Sequence, residues 1–183
     1  MRLKTLAVTA LAAAVMVGCT AQQPAEKAAA PAAKAAKKAP PKTLSGASGA
    51  MLASTCEGCH GTDGVSQGPA TPSIAGMSQD YLSEAMEEFR DGDTKSTIMG
   101  RVAKGYSDTE IVAMSAYYAA QKPYGAGQKA NAADIAKGEK LHNKYCEKCH
   151  ADGGSDATDD SGILAGQWTP YLHYTMQDFM NGD

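Results

Sequence analysis

Apolar and polar positions divide the chain into an apolar run, a polar tail and two stretches with helical spacing. Leu6 to Val17 is an almost unbroken apolar run behind Met1-Arg2-Leu3-Lys4, and Gly18-Cys19 closes it. About a dozen residues are too few to span a bilayer, which takes roughly 20. A basic start, an apolar stretch and a small residue before cleavage instead predict an export signal over residues 1–18. Residues 19–42 are then almost entirely Ala, Lys, Pro and Gln. So few large apolar side chains cannot offset the entropy of ordering, which predicts a disordered tether.

Beyond the tether, helical spacing predicts helices around Gly46 to Thr55, around Gln79 to Arg90 and from about Thr109 to Gln121, joined by long loops. The third begins with Ser107-Asp108-Thr109-Glu110, a capping box, and its Ile111, Val112, Met114, Tyr117 and Tyr118 fall largely on one face. Gly125 to Asn131 reads as a linker, after which a helix runs from Ala132 to about Tyr145. These elements predict a first domain over 43–124, a linker over 125–131 and a second domain over 132–183.

The two domains repeat one another. Setting Cys56 on Cys146 brings Ala75-Gly76, Tyr81-Leu82, Met86, Phe89 and Gly92-Asp93 onto Ala165-Gly166, Tyr171-Leu172, Met176, Phe179 and Gly182-Asp183, a period of 90 residues. Both copies carry the same chemistry, Cys56-Glu57-Gly58-Cys59-His60 and Cys146-Glu147-Lys148-Cys149-His150. In this CxxCH spacing the two thiols add to haem vinyl groups, and the imidazole reaches the iron from the same side. Disulfides, or one zinc shared by the two CxxC pairs, are the alternatives. Neither accounts for the paired histidines. We therefore expect two covalent haem c groups, on Cys56 and Cys59 and on Cys146 and Cys149, with His60 and His150 as axial ligands of the iron.

Units of about 80 to 90 residues have a marginal core of their own. A bound macrocycle makes up the deficit, so the 6% aromatic content suffices. The fifth cysteine, Cys19, is left over; Met16-Val17-Gly18-Cys19 resembles the lipobox of bacterial lipoproteins, which predicts acylation of Cys19. That makes the protein periplasmic and lipid-anchored to a bacterial membrane, the alternative being an ordinary cleaved signal. Charge adds a hint about partners. Seven of the 17 basic residues and one of the 20 acidic ones precede Thr43, which leaves 10 against 19 in the body. An acidic body argues against nucleic acid and for a partner with a basic docking face.

The haem motifs and helix order resemble class I cytochromes c, which implies an all-α fold of two tandem class I domains, each wrapped around a covalent haem. By that resemblance Met99, in Thr97-Ile98-Met99-Gly100 about ten residues before a helix, is the second axial ligand of the first haem. Met86 and Met114 are then core residues. The resemblance also makes the carbonyl of Pro72, in Gly68-Pro69-Ala70-Thr71-Pro72-Ser73-Ile74, the acceptor for His60. Gly162 stands at the matching place in the second unit, keeping the carbonyl and losing the rigid ring. Tyr81 and Tyr171 are expected at haem edges or as plain core residues. His142 and His173, which replace Leu52 and Ser83, are expected not to bind iron.

Longer stretches resemble the dihaem cytochrome subunit of flavocytochrome c sulfide dehydrogenase, roughly from Leu52 to the end. They include Ser96-Thr97-Ile98-Met99-Gly100-Arg101-Val102-Ala103-Lys104-Gly105-Tyr106-Ser107 and Ile163-Leu164-Ala165-Gly166-Gln167-Trp168-Thr169-Pro170-Tyr171-Leu172. The resemblance implies a flavoprotein partner that oxidises sulfide, carries FAD and hands over electrons singly, and a small soluble cytochrome c as acceptor. No catalytic site is expected on this chain. The alternative is a free-standing two-domain carrier delivering electrons to a terminal oxidase. The counterpart of Met99 would fall near position 189, whereas the sequence stops at Asp183. We therefore expect an incomplete second domain, or a second haem with an open distal position.

Overall fold

The computed structural model describes residues 46–158 and 160–182. The expected signal, the tether and Cys19 lie outside the described residues. Among those described, the chain is helix, 3-10 turn and loop without strand, and no helix is long and apolar enough to cross a membrane.

The first unit is built from α1 (Gly49–Ala53), α2 (Glu57–His60), α3 (Gln79–Asp91), α4 (Met99–Val102) and α5 (Asp108–Ala119). Each start is chemically marked. Ser48 Oγ accepts from Met51 N at 3.2 Å and Ser78 Oγ accepts from Tyr81 N at 3.1 Å, satisfying donors that a helix start leaves free. Ser107 and Glu110 close the expected capping box at α5. Gly92, at φ 82°, ends α3 in the left-handed conformation that costs glycine nothing.

The three expected helices are all present with shifted bounds. The first is shorter than anticipated, 49–53, because the chain turns at Ser54 and Thr55 to present Cys56. The loops expected between helices contain short helical turns, α2, α4 and the 3-10 segments Thr62–Gly64 and Ala103–Gly105. Helix α5 packs across both α1 and α3. Its Ile111, Met114 and Tyr118 are buried, and Tyr118 joins Ala53, Met77 and Leu82 in one cluster. Ile163 of the second unit belongs to the same cluster. The apolar core therefore joins the two repeats.

The second unit contains α6 (Ala132–Tyr145), α7 (Ala151–Gly154) and α8 (Thr169–Asn181). Asn131 Oδ1 caps α6 by accepting from Ala133 N at 2.8 Å, so this helix has the bounds its sequence predicts. The repeat is visible in the hydrogen bonds. Gly64 O accepts from Ile74 N (2.8 Å) and Ala75 N (3.2 Å), and Gly154 O accepts from Leu164 N (2.8 Å) and Ala165 N (2.9 Å). Among the described residues nothing lies on α6 and α8 as α5 lies on α1 and α3. Ile135, Leu141, Met176 and Phe179 accordingly stand exposed.

The linker is no loose tether. Ala126 N donates to Gly166 O at 2.8 Å, Gln128 Nε2 donates to Gln167 O at 2.9 Å, and Gln128 Oε1 accepts from Thr169 N at 2.8 Å. The linker thereby fixes the start of α8.

Tyr118 shows how few contacts carry the first unit. Its hydroxyl donates to Ala53 O at 2.7 Å, joining α5 to the end of α1 just before the first haem motif. Replacing it by phenylalanine removes a buried hydrogen bond worth about 1 kcal/mol. We expect Tyr118→Phe to lower the unfolding free energy by that amount, read as a lower denaturant midpoint with an unchanged slope, and an unaltered midpoint would show that the bond contributes nothing net.

Candidate haem sites

Each CxxCH motif is wound into a single helical turn. In the first unit Cys59 N and His60 N donate to Cys56 O at 3.1 and 2.9 Å; in the second, Cys149 N and His150 N donate to Cys146 O at the same distances. That winding gathers two thiols and an imidazole within one turn. Among the described residues the four cysteines form no disulfide, with Cys59 and Cys149 exposed and Cys56 and Cys146 half-buried. Among the described residues no three metal-binding side chains converge as zinc would need. The arrangement suits a planar ligand bonded at two edges and approached by an imidazole.

The rings are oriented by backbone carbonyls. His60 Nδ1 lies 2.9 Å from Pro72 O, and His150 Nδ1 lies 3.2 Å from Gly162 O. A carbonyl only accepts, so the proton sits on Nδ1 and the Nε2 lone pair is left for a metal. Burial pushes the His60 pKa below its ordinary 6.5, with the Pro72 carbonyl opposing that shift in part. A ring held neutral in this way is in the form that coordinates iron. Pro72 O thus stands where His60 Nδ1 can donate to it, and the residues present fit a covalently attached haem.

Gly162 has a reason that its sequence position concealed. A Cβ there would lie 2.8 Å from both Cζ and the hydroxyl oxygen of Tyr81 in the first unit. Any larger residue at 162 would have to displace the Tyr81 ring, and Tyr81 of the first repeat is packed beside the carbonyl that orients His150. Burial raises the Tyr81 pKa, with Tyr171 and Glu88 adding to the shift. Burial likewise raises that of Tyr171, opposed by a hydrogen bond with Thr175. Both phenols are therefore neutral near pH 7.

The other anticipated residues fall as follows. Met99 is half-buried and opens α4, not a loop, its turn capped by Ser96 Oγ accepting from Gly100 N at 2.7 Å. Met114 is buried and Met86 half-buried. His173 is exposed on α8 beside Tyr174. His142 Nδ1 comes within 3.0 Å of Glu147 Oε2, an ion pair only when the ring is charged. The approach is out of line for a hydrogen bond, so both ring nitrogens lack such a partner.

Gln167 and Trp168 were missed as individual site residues. Gln167 Nε2 donates to Ser73 O at 2.7 Å while its Oε1 accepts from Ser73 N at 2.9 Å. Trp168 Nε1 donates to Ser66 O at 3.0 Å, and its indole fills the space where a Cβ on Gly68 would stand. Their repeat counterparts are Met77 and Ser78. A polar or aromatic residue breaking an otherwise faithful repeat was the signal available.

A family model for cytochrome c matches residues 46–121. Cytochrome c-554(548) of Halomonas halodenitrificans is 38% identical over 63 residues, which are 33% of this chain and 76% of that protein. The chain belongs to the cytochrome c family. Reduced recombinant cytochrome c4 from Pseudomonas stutzeri has the same fold over 73% of this cytochrome and 79% of that chain, with a TM-score of 0.66 and 27% identity. The fold is the all-helical one of dihaem cytochrome c4, and both CxxC pairs bind haem c covalently.

Two further relatives come from sulfur metabolism. The thiosulfate dehydrogenase electron acceptor of Thiomonas intermedia is 29% identical over 120 residues, 61% of this chain and 55% of that protein. The cytochrome subunit of sulfide dehydrogenase of Chlorobaculum tepidum is 47% identical over 47 residues, 26% of this chain and 43% of that protein. The chain thus spans about half the length of these curated relatives. The second match corrects an expectation, because the resemblance to the sulfide dehydrogenase cytochrome covers a quarter of the chain and not everything from Leu52 onward.

Proposed function

We propose that this electron-transfer cytochrome takes electrons singly from a dehydrogenase that oxidises a reduced inorganic sulfur compound, and passes them to a small soluble cytochrome c. The observation that carries this reading is the 120-residue likeness to the thiosulfate dehydrogenase electron acceptor; the shorter likeness to the sulfide dehydrogenase cytochrome points the same way. A sulfide-oxidising flavoprotein carrying FAD is one such donor and a thiosulfate dehydrogenase is the other. The acidic body suits a donor with a basic docking face. Acylated Cys19 and the Ala/Lys/Pro tether would hold the cytochrome at a periplasmic membrane surface while leaving it free to reach both partners.

A haem c iron with both axial positions filled supplies a reversible one-electron couple. The chain's own residues do the rest. Cys56, Cys59, Cys146 and Cys149 anchor the two groups, and His60 and His150 present Nε2 to iron. Met99 would close the first haem on its other face, where a thioether favours the reduced state. The fold likeness to cytochrome c4 favours a second reading, a free-standing carrier that delivers electrons to a terminal oxidase.

Two measurements test these assignments. Met99→Ala should let the ferrous protein bind one more equivalent of carbon monoxide per chain than the unaltered protein, and unchanged uptake would remove Met99 as a ligand. For the donor, the cytochrome purified from its source with associated proteins should show haem reduction on addition of sulfide or thiosulfate. Flavin in the preparation would mark the sulfide case. Reduction by respiratory donors alone, with no response to either sulfur compound, would overturn the reading in favour of the free carrier.

A further inference from the structure

The contact between the two units falls on one peptide group that also serves the first haem site. Pro72 O accepts from His60 Nδ1 at 2.9 Å. The N–H of that same peptide belongs to Ser73, and it donates to Gln167 Oε1 at 2.9 Å. The chain of contacts therefore runs from Gln167, in the second unit, through the Pro72–Ser73 peptide to His60. Gln167 is 5% exposed and Ser73 is 6% exposed, so water does not compete for these bonds.

The amide orientation follows from its partners. Gln167 Nε2 faces two carbonyls, Ser73 O at 2.7 Å and Ile163 O at 3.3 Å. Because carbonyls only accept, that end must be the donor and the other end the acceptor. The residue is also held from behind, since Gln128 Nε2 binds its carbonyl and Ala126 N binds that of Gly166.

We propose that Gln167 is a positioning residue for the first haem, polarising the Pro72–Ser73 peptide and thereby setting the basicity of His60 from the neighbouring domain. Hydrogen bonds in series strengthen one another in a low-dielectric interior. A donor N–H engaged by Gln167 leaves more negative charge on Pro72 O. The stronger acceptor draws the Nδ1 proton and makes the imidazole a better electron donor to iron, which favours the oxidised state.

Among the described residues the second unit shows no such brace. Met77 occupies the position equivalent to Gln167, and a thioether cannot stand in for an amide pairing with both ends of a residue's backbone. His150 Nδ1 is correspondingly farther from its carbonyl, at 3.2 Å. The effect is one-sided, so the first haem registers whether the two units are joined.

This inference rests on His60 being an iron ligand, and the test keeps the two claims apart. The full chain carrying both haems, labelled with 15N-histidine, is compared with Gln167→Met and Gln167→Glu by potentiometry and by NMR of the ferrous form. Gln167→Met should shift the oxidation equilibrium of one haem toward the reduced state by about tenfold, which is 59 mV for a one-electron couple. It should also move the His60 Nδ1–H resonance upfield and leave that of His150 in place. Gln167→Glu must carry a proton on the oxygen that faces Ser73 O and Ile163 O; its other oxygen still accepts from Ser73 N, so both readouts should stay near those of the unaltered protein. Readouts left unchanged by Gln167→Met, or displaced equally by both variants as simple loosening would give, overturn the proposal. His60 ring protons that show no porphyrin ring-current shift in the unaltered protein would overturn the ligand assignment, and the proposal with it.

Discussion

An imidazole offers a metal one chosen nitrogen in a fixed orientation when its other nitrogen is held, and both haem sites are organised around that constraint. The CxxCH turn fixes where His60 and His150 begin, but it does not fix how their rings are turned. Pro72 O and Gly162 O do so, which obliges the chain to bring a loop carbonyl back to each motif. The paired bonds to Gly64 O and Gly154 O secure the chain just beyond each of these carbonyls. Much of what looks like irregular loop is therefore scaffolding for two hydrogen bonds.

The polypeptide has little else to rely on. Among the described residues, Ile111 is the only large side chain with essentially no exposure, and the buried cluster of the first unit borrows Ile163 from the second. Units of this size are marginal without a further source of burial. Two covalent haems supply it. The boundary between units consequently cannot be separated from the sites, because Tyr81 packs beside one orienting carbonyl while Gln167 and Trp168 grip the loop that carries the other.

The haem chemistry was legible in the sequence because it is local. CxxCH, the capping box at Ser107 and Glu110 and the period of 90 residues all lie within spans where spacing alone carries the meaning. The boundary was not legible in the same way. Gln167 reaches Ser73 across 94 residues and Trp168 reaches Ser66 across 102, and no periodic pattern marks such contacts. By sequence Gly162 is only a lost proline ring, whereas Tyr81 occupies the space beside it. The repeat itself carries the clue. Where Met77-Ser78 becomes Gln167-Trp168, α8 gives up the serine cap that starts α3, and that loss has an interdomain purpose.

One chain holds two one-electron sites in unequal surroundings, His60 braced by Gln167 from the other repeat and His150 not. Coulometric reduction of the purified holoprotein, followed at the haem absorption bands, tests it most directly. Two electrons should be taken up per chain, in two one-electron steps at different potentials. Uptake of a single electron per chain, or of two electrons at one indistinguishable potential, would contradict it.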